Sequence, residues 1–361
     1  MPHRIVLAVS GHGFGHAVRA AEVARALIKR RVHVIVRSAA PRWLFPDECE
    51  YIPGPGLDVG VVQHDGLDFD IDETRRQWNL LISDFEARVE VEAGMLKAHA
   101  ATAVVADIPP LALAAAHEAG VPSFAVANFT WDWIYAPWPG FRPIVEHIRA
   151  AYYRAGLLFR LPLHSEDADA FVSFKRIVDA PLIARRAARS RSMVRAELGL
   201  ADDERVVLIS FGGFTARGLD FGGLSRSSNY RFVLTPPISL EHTALPANVL
   251  ALNETPADYV SLLNACDVVV TKPGYGVVAD CLANHVAVLF TDRGPFREYE
   301  VLAAALPVLG RARYISRADL MDGYLGAHLD ALLQLQTPWT TQPMNGADVI
   351  ADRVVQNLSN E

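Results

Sequence analysis

Cysteine is scarce in these 361 residues: there are three, Cys49, Cys266 and Cys281. An odd and widely spaced set makes neither a disulfide framework nor a zinc-ligand pattern, and it suits a reducing cytosol. Long apolar runs are missing too. No stretch reaches the roughly 18 uninterrupted apolar residues that span a bilayer. The short apolar run after Arg4 is too brief for a secretory signal and reads as a first strand. Charge of one sign is nowhere concentrated. The net charge of −7 is spread along the chain, which leaves no broad basic surface for nucleic acid. The small clusters Lys29-Arg30-Arg31 and Arg185-Arg186…Arg189…Arg191 read as a helix end and a solvated linker face. No pair of carboxylates is grouped as a metal site, so neither a metal nor another cofactor is expected.

Apolar residues make up 51% of the chain, enough for two cores. Single cores stop growing near roughly 250 residues, so two domains are expected. Strand-like and helix-like segments alternate over the first third: strand Arg4–Val9, helix Ala17–Arg31, strand Val32–Val36, a long helical stretch Phe69–Ala100, strand Ala103–Ala106, helix Leu111–Glu118 and strand Ser123–Ala127. Residues 128–191 break the rhythm with prolines and aromatics and read as irregular structure, one or two helices and a linker. Alternation restarts at Arg205, with strands Arg205–Ser210, Tyr230–Leu234, Val268–Val270 and Ala287–Phe290 and helices Ala257–Asn264 and Gly276–Ala283. Such alternation predicts an α/β protein of two Rossmann-like, doubly wound domains. The first is expected over residues 1–190 and the second over 191–345, with the terminal helix, 346–361, packing back on the first.

Strand Ile5–Ser10 runs into Gly11-His12-Gly13-Phe14-Gly15-His16 and a helix. Gly13 and Gly15 permit a tight turn and close approach of a ligand. A dinucleotide fingerprint would place its third glycine where His16 stands and an acid at the end of the second strand, where this chain has Arg37 and Ser38. NAD is therefore disfavoured. His16 at a helix start is a candidate general base, with His12 a weaker one; either could simply cap the turn. Asp107 ends strand Val104–Ala106. In a parallel sheet it shares a rim with His16, where a carboxylate can orient an imidazole. It could equally serve as a helix cap.

Further on, Val268–Thr271 leads into Lys272-Pro273-Gly274-Tyr275-Gly276-Val277-Val278-Ala279-Asp280. A strand, a glycine turn and a helix start suit a diphosphate at Gly274, Tyr275, Gly276 and Val277. Asp280, near the end of the first helical turn, could accept bonds from a ribose diol. Gly212 and Gly213 after the strand Val206–Ser210 offer a second close approach. Trp131, Asp132, Trp133 and Tyr135 read either as an acceptor wall or as an aromatic core under a loop. Ala150–Leu163, with its tyrosines and arginines, reads as a packed helix with snorkelling arginines or as a contact for a lipid.

Together these loops resemble GT-B glycosyltransferases. Gly13–Ala24 is similar to the start of UDP-dependent enzymes, whose base histidine pairs with an aspartate about a hundred residues on; His16 and Asp107 match those places. Gly274–Asp280 resembles that family's glycine turn and ribose acid, with Asp280 in place of glutamate. Glu298 falls near the residue that touches the donor sugar. Arg19 stands where many such enzymes have proline, on the acceptor side with His12. Across nearly the whole chain, Gly11–Arg19, Asn128–Ala136, Leu161-Pro162, Asp179–Leu182, Lys272–Asp280, Arg293, Phe296 and Glu298 resemble the glycosyltransferase-like N-terminal half of L-arabinokinase and its free-standing bacterial relatives. The kinase half is not in this chain, so kinase activity is not implied.

The resemblance implies an inverting, metal-independent transferase working on a nucleoside-diphosphate sugar, with UDP the expected carrier. His16 would take the acceptor's proton, Asp107 would steady the imidazolium, and Lys272 or Arg293 would face the leaving diphosphate. The acceptor would be a small molecule or a lipid-linked hydroxyl. Two alternatives remain: a nucleotide-sugar-binding module without turnover, and a UDP-sugar epimerase on the same fold.

Overall fold

A computed structural model of the chain describes residues 3–65, 67–212, 218–237, 245–254 and 258–359. The chain forms two compact units. One comprises Met1–Val62, Asp70–Ala184 and Gln342–Glu361; the other comprises Gln63–Phe69 and Arg185–Thr341. The division falls at 184/185 rather than 190, and residues 63–69 go with the second unit, which periodicity does not reveal.

The first unit contains β1 (Arg4–Val9), α1 (Gly13–Lys29), β2 (His33–Ser38), β3 (Glu50–Pro53), α2 (Ile71–Ser83), α3 (Phe85–Ala98), β4 (Ala103–Asp107), α4 (Pro110–Ala119), β5 (Ser123–Ala127), α5 (Trp131–Tyr135), α6 (Arg142–Tyr152), β6 (Leu157–Arg160) and β7 (Ile177–Asp179). Its strands are all parallel, in the order β3-β2-β1-β4-β5-β6-β7. β4 and β5 are buried along their whole length, as expected of strands covered by helices on both faces. α1 lays its alanines and Val23 and Leu27 on the sheet. The stretch read as one helix from Phe69 to Ala100 is two: the chain bends at Asp84 (φ −124, ψ 20). Ser83 and Asp84 bond locally, Ser83 to the Leu80 carbonyl and Asp84 to Arg88, which favours a helix boundary over continuation. β3, β6 and β7 were not expected. They are four, four and three residues long, too short for alternation to declare itself. β6 runs beside Phe124–Ala127 with Leu157, Leu158 and Phe159 buried, and α6 buries Ile148 and Tyr152. Most apolar residues of 150–163 therefore pack inside the unit, while Ala150 and Tyr153 are exposed.

The second unit contains α7 (Arg191–Glu197), β8 (Arg205–Ile209), β9 (Tyr230–Leu234), β10 (Val249–Ala251), α8 (Tyr259–Ala265), β11 (Val268–Thr271), α9 (Tyr275–Asn284), β12 (Ala287–Phe290), α10 (Arg297–Leu309), β13 (Ala312–Tyr314), α11 (Arg317–Met321) and α12 (Gly326–Leu333). Its sheet is also parallel, ordered β10-β9-β8-β11-β12-β13. Leu67, from the early segment, lies in its core with Phe232, Leu289 and Leu329. The last helix, α13 (Gly346–Ser359), packs on α1 in the first unit.

In each sheet the strand order reverses once, between β1 and β4 and between β8 and β11. Loops leaving the carboxyl ends of strands diverge at such points and leave a crevice where ligands bind. The two glycine loops emerge there.

Candidate active site

In the first unit, Val9 pairs with Asp107 across β1 and β4, and the Ser10 N–H donates to the Asp107 carbonyl at 3.0 Å. α1 begins four residues later at Gly13, whose φ of 65° is left-handed and suits glycine. His16 therefore sits in the first helical turn, directly beside the end of β4. Its Nδ1 lies 2.8 Å from Asp107 Oδ1, and both side chains are buried. One turn later Arg19 grips the same carboxylate: Nε donates to Oδ2 at 2.7 Å and Nη2 to Oδ1 at 2.6 Å, while Nη1 donates to Asn128 Oδ1 at 2.7 Å. Burial pushes the Asp107 carboxyl up, but the Arg19 charge, with His16, outweighs it and holds the group below the ordinary range. An ionised carboxylate only accepts hydrogen bonds, so His16 Nδ1 carries the hydrogen and Nε2 of the neutral ring is left as the basic nitrogen.

The rings around His16 correct one expectation. Trp131, Asp132, Trp133 and Tyr135 are all buried, at 3% exposure or less, and form an aromatic core rather than an acceptor wall. Apart from Asp132 Oδ1, their polar side-chain atoms are bonded from inside. Trp131 Nε1 donates to Asp58 Oδ2 at 2.9 Å, Trp133 Nε1 to Asp167 Oδ2 at 3.3 Å and the Tyr135 hydroxyl to the Gly60 carbonyl, while Asp132 Oδ2 accepts from Arg149 and Ser173. Trp131 lies 5.8 Å from the His16 ring and stacks on Tyr135 at 5.6 Å, so it backs the histidine. Arg19, expected on the acceptor side, is buried in the ion pair instead. His12 is half-buried at the N-cap of α1, and its Nδ1 accepts from the Val61 N–H at 3.2 Å.

Sequence reasoning missed Asp58, which is enclosed between Ser10 Oγ at 3.0 Å and the Trp131 indole. Burial, against the pull of His16, pushes its carboxyl up to about 6. It stands in a glycine-rich loop with no spacing to mark it. Asn128 opens the Asn-Phe-Thr-Trp run, yet nothing in the sequence says that it meets Arg19.

In the second unit, β11 delivers Thr271 and Lys272 to the other reversal point, and α9 starts at Tyr275 with Gly274 as N-cap. Gly274, Gly276 and Val277 are partly open, whereas Lys272 and Tyr275 are buried. The first N–H groups of α9 and the positive end of its dipole favour an anion. A β-carbon on Gly274 would lie 4.0 Å from Arg293 Nη1, which donates to Glu298 Oε2 at 2.9 Å. Burial lowers the Lys272 ammonium well below its usual value, and the Arg293 charge adds to this. Gly212 has a left-handed φ of 68° after β8; Gly213 lies outside the described residues.

Asp280 departs from expectation. It is in the second turn of α9, 2% exposed. Its oxygens are filled by Arg185, whose backbone N–H donates at 2.8 Å, Nε at 3.0 Å and Nη2 at 2.6 Å. Both oxygens expected to meet a ribose are thus bonded to Arg185. The Arg185–Arg191 run is partly solvated, with Arg186 exposed, and it also has partners: Arg186 donates to the Ala283 carbonyl and Arg191 pairs with Asp267. Among the described residues no group of three or more His, Cys, Asp or Glu could hold a metal ion, and no helix is long and apolar enough to cross a membrane.

No family model matches the chain. It is 32% identical over 353 residues to the L-arabinokinase of Arabidopsis thaliana, covering 95% of this chain but 33% of that protein. The chain thus spans about a third of the length of the curated relative that it matches. Among solved structures, the glycotransferase of kitacinnamycin superposes with a TM-score of 0.65 at 18% identity, covering 98% of this chain and 99% of that one. UGT89C1 of Arabidopsis thaliana complexed with quercetin gives 0.64 at 14%, covering 100% and 98%. MurG of Acinetobacter baumannii gives 0.55 at 14%, covering 100% of both. These likenesses establish the fold, which is GT-B.

Proposed function

We propose that this chain, built on the GT-B fold of nucleotide-sugar glycosyltransferases, is itself an inverting, metal-independent glycosyltransferase acting in the cytosol. The observation that carries the reading is the buried His16 Nδ1–Asp107 bond of 2.8 Å, which leaves Nε2 to act as a base. In the reaction, Nε2 accepts the proton of an acceptor hydroxyl while Asp107 stabilises the imidazolium. The hydroxyl oxygen forms a bond to the anomeric carbon as the bond to the diphosphate breaks, and one displacement inverts that centre. The first helical turn of α9, with Lys272 and Arg293, receives the departing charge, so the reaction needs no metal ion. The donor is a UDP sugar and the acceptor a small or lipid-linked alcohol. UGT89C1 has been crystallised with UDP and with quercetin, which supports this choice of donor carrier. Cys49, Cys266 and Cys281 are free and buried, which suits a reducing compartment.

A panel of UDP sugars and alcohols, with product detection by mass spectrometry, tests the reading. His16→Ala should lower the transfer rate by at least about 100-fold while UDP binding stays within about twofold. Undiminished transfer in that variant would sink the mechanism. The occupied Asp280 favours a second reading, a nucleotide-sugar-binding module without turnover. It predicts saturable binding with neither transfer nor hydrolysis.

A further inference from the structure

His12 stands at the N-cap position of α1, yet its side chain makes no capping bond to that helix. The ring is seated by the 58–61 loop instead. The Val61 N–H donates to Nδ1 at 3.2 Å. Gly60 lies against the ring at a left-handed φ of 61°, and a β-carbon there would stand 2.6 Å from Cγ, so only glycine leaves room for the imidazole. The His12 backbone N–H donates to Ser10 Oγ at 3.2 Å, and Ser10 Oγ donates to Asp58 Oδ1 at 3.0 Å. Asp58 Oδ2 in turn accepts from the Trp131 indole at 2.9 Å. The His12 ring meets Trp131 edge to face at 5.5 Å and lies 6.4 Å from the His16 ring, which is 5.8 Å from Trp131. The two histidines therefore share one indole as a floor, and Asp58 pins that floor.

These contacts fix opposite tautomers in the two rings. His16 Nδ1 gives its hydrogen to Asp107, so Nε2 is an acceptor. His12 Nδ1 needs its lone pair to receive the Val61 N–H, so its hydrogen is on Nε2, which is a donor. The two nitrogens of an imidazole flank one carbon, so each Nε2 is turned away from the group that holds Nδ1.

We propose that His12 is a specificity residue for the acceptor: its Nε2–H donates to a second oxygen, beside the hydroxyl that gives its proton to His16 Nε2. The inference rests on reading His16 as the base of a transferase. A hydrogen bond donated to the attacking oxygen itself would draw on the electron density that forms the new bond, so His12 serves the neighbouring oxygen. The acceptor that satisfies both nitrogens has oxygens on adjacent carbons, as a sugar or another polyol does. A simple alcohol forgoes the second bond and binds more weakly.

The test uses the full chain with cyclohexanol, the corresponding vicinal diol and free hexoses. Nitrogen-detected NMR of the histidine rings first reads the tautomers, and a hydrogen on His12 Nδ1 overturns the proposal. Titrations followed at the same rings should show the diol and at least one hexose binding about tenfold more tightly than cyclohexanol. His12→Asn keeps an acceptor for the Val61 N–H but does not reach the place of Nε2, and it should reduce the preference to within about twofold. His12→Gln places an amide nitrogen there and should restore most of it. A merely structural role would not be rescued by glutamine, which gives up the Val61 bond. Equal binding of diol and cyclohexanol, binding of neither, or a preference that survives His12→Asn overturns the proposal. If neither variant folds, the wild-type tautomers and preference still decide. A preference that depends on His12, without transfer from any UDP sugar, upholds His12 as a polyol contact and removes the transferase reading. Transfer to cyclohexanol as fast as to the diol does the reverse.

Discussion

Behind His16, the Asp58 carboxylate has little solvent, and two neutral donors, Ser10 Oγ and Trp131 Nε1, stabilise its charge only in part. Its pKa rises from 3.8 to about 6 because burial disfavours the ionised form. The folded state therefore binds more protons than the unfolded chain between those values, and stability falls as pH rises across that window. Above pH 6 the deficit is constant at about 3 kcal/mol. Asp58→Asn keeps an acceptor for the indole and removes the charge. Urea unfolding followed from pH 4 to pH 7 should show wild-type stability dropping across the window and a flatter curve for the variant. Parallel curves would mean that Asp58 is already ionised at pH 4. The contrast with Asp107 shows what a sequence can convey about single residues. Asp107 is legible because it ends a strand, and parallel strand ends share one rim. Asp58 is not, because loop geometry rather than period decides where it points. Arg19 was misread because a fork reaching back one helical turn leaves no mark in spacing.

At the scale of elements, long periodic or fully apolar segments declare themselves and short ones do not. β5 and β12 lie where the apolar runs put them, and α1 differs in beginning at the glycine loop itself and ending at Lys29. β6 and β7 exist because neighbouring strands supply hydrogen bonds and cover, which no local pattern encodes. Just beyond the basic run after 184, an arginine is recruited as a staple. Arg195 in α7 is fully buried and donates to the carbonyls of Ala265, Ala201, Asp202 and Glu204 and to Asp267 Oδ2. It joins the helix to the chain entering β8 and to the end of α8. Replacing it by alanine leaves five acceptors without that donor, the Ala265 carbonyl among them buried, and opens a cavity. Arg195→Ala should lose about 3–5 kcal/mol in equilibrium urea unfolding. A loss under about 1 kcal/mol would show that water reaches those carbonyls.

The whole chain is two doubly wound sheets, and that much follows from alternating strands and helices with glycine loops at two strand ends. What alternation did not convey is that residues 63–69 belong with the second unit, whereas the return of the terminal helix to the first is as expected. Residues 342–361 close it. The Gly346 N–H donates to the Leu182 carbonyl at 2.9 Å, and a β-carbon there would stand 2.1 Å from the Pro181 carbonyl oxygen, so this helix start requires glycine. α13 then buries Ile350, Ala351 and Val354, while Arg30 of the segment after α1 donates to Asp352 at 2.6 Å and Asp348 at 3.1 Å. A chain ending at 341 would uncover that face of α1. Loss of the two larger apolar side chains alone should cost about 4 kcal/mol, falling on the unit that holds His16 and Asp107. The truncated protein should melt several degrees lower and should lose protection from hydrogen exchange in α1. Gly346→Ala should reproduce part of the effect in the full-length chain, because the added methyl group meets backbone rather than a side chain that can move. Unchanged melting in both variants would mean that α1 and its sheet are stable without their last helix, and that the tail contributes nothing to holding His16 in place.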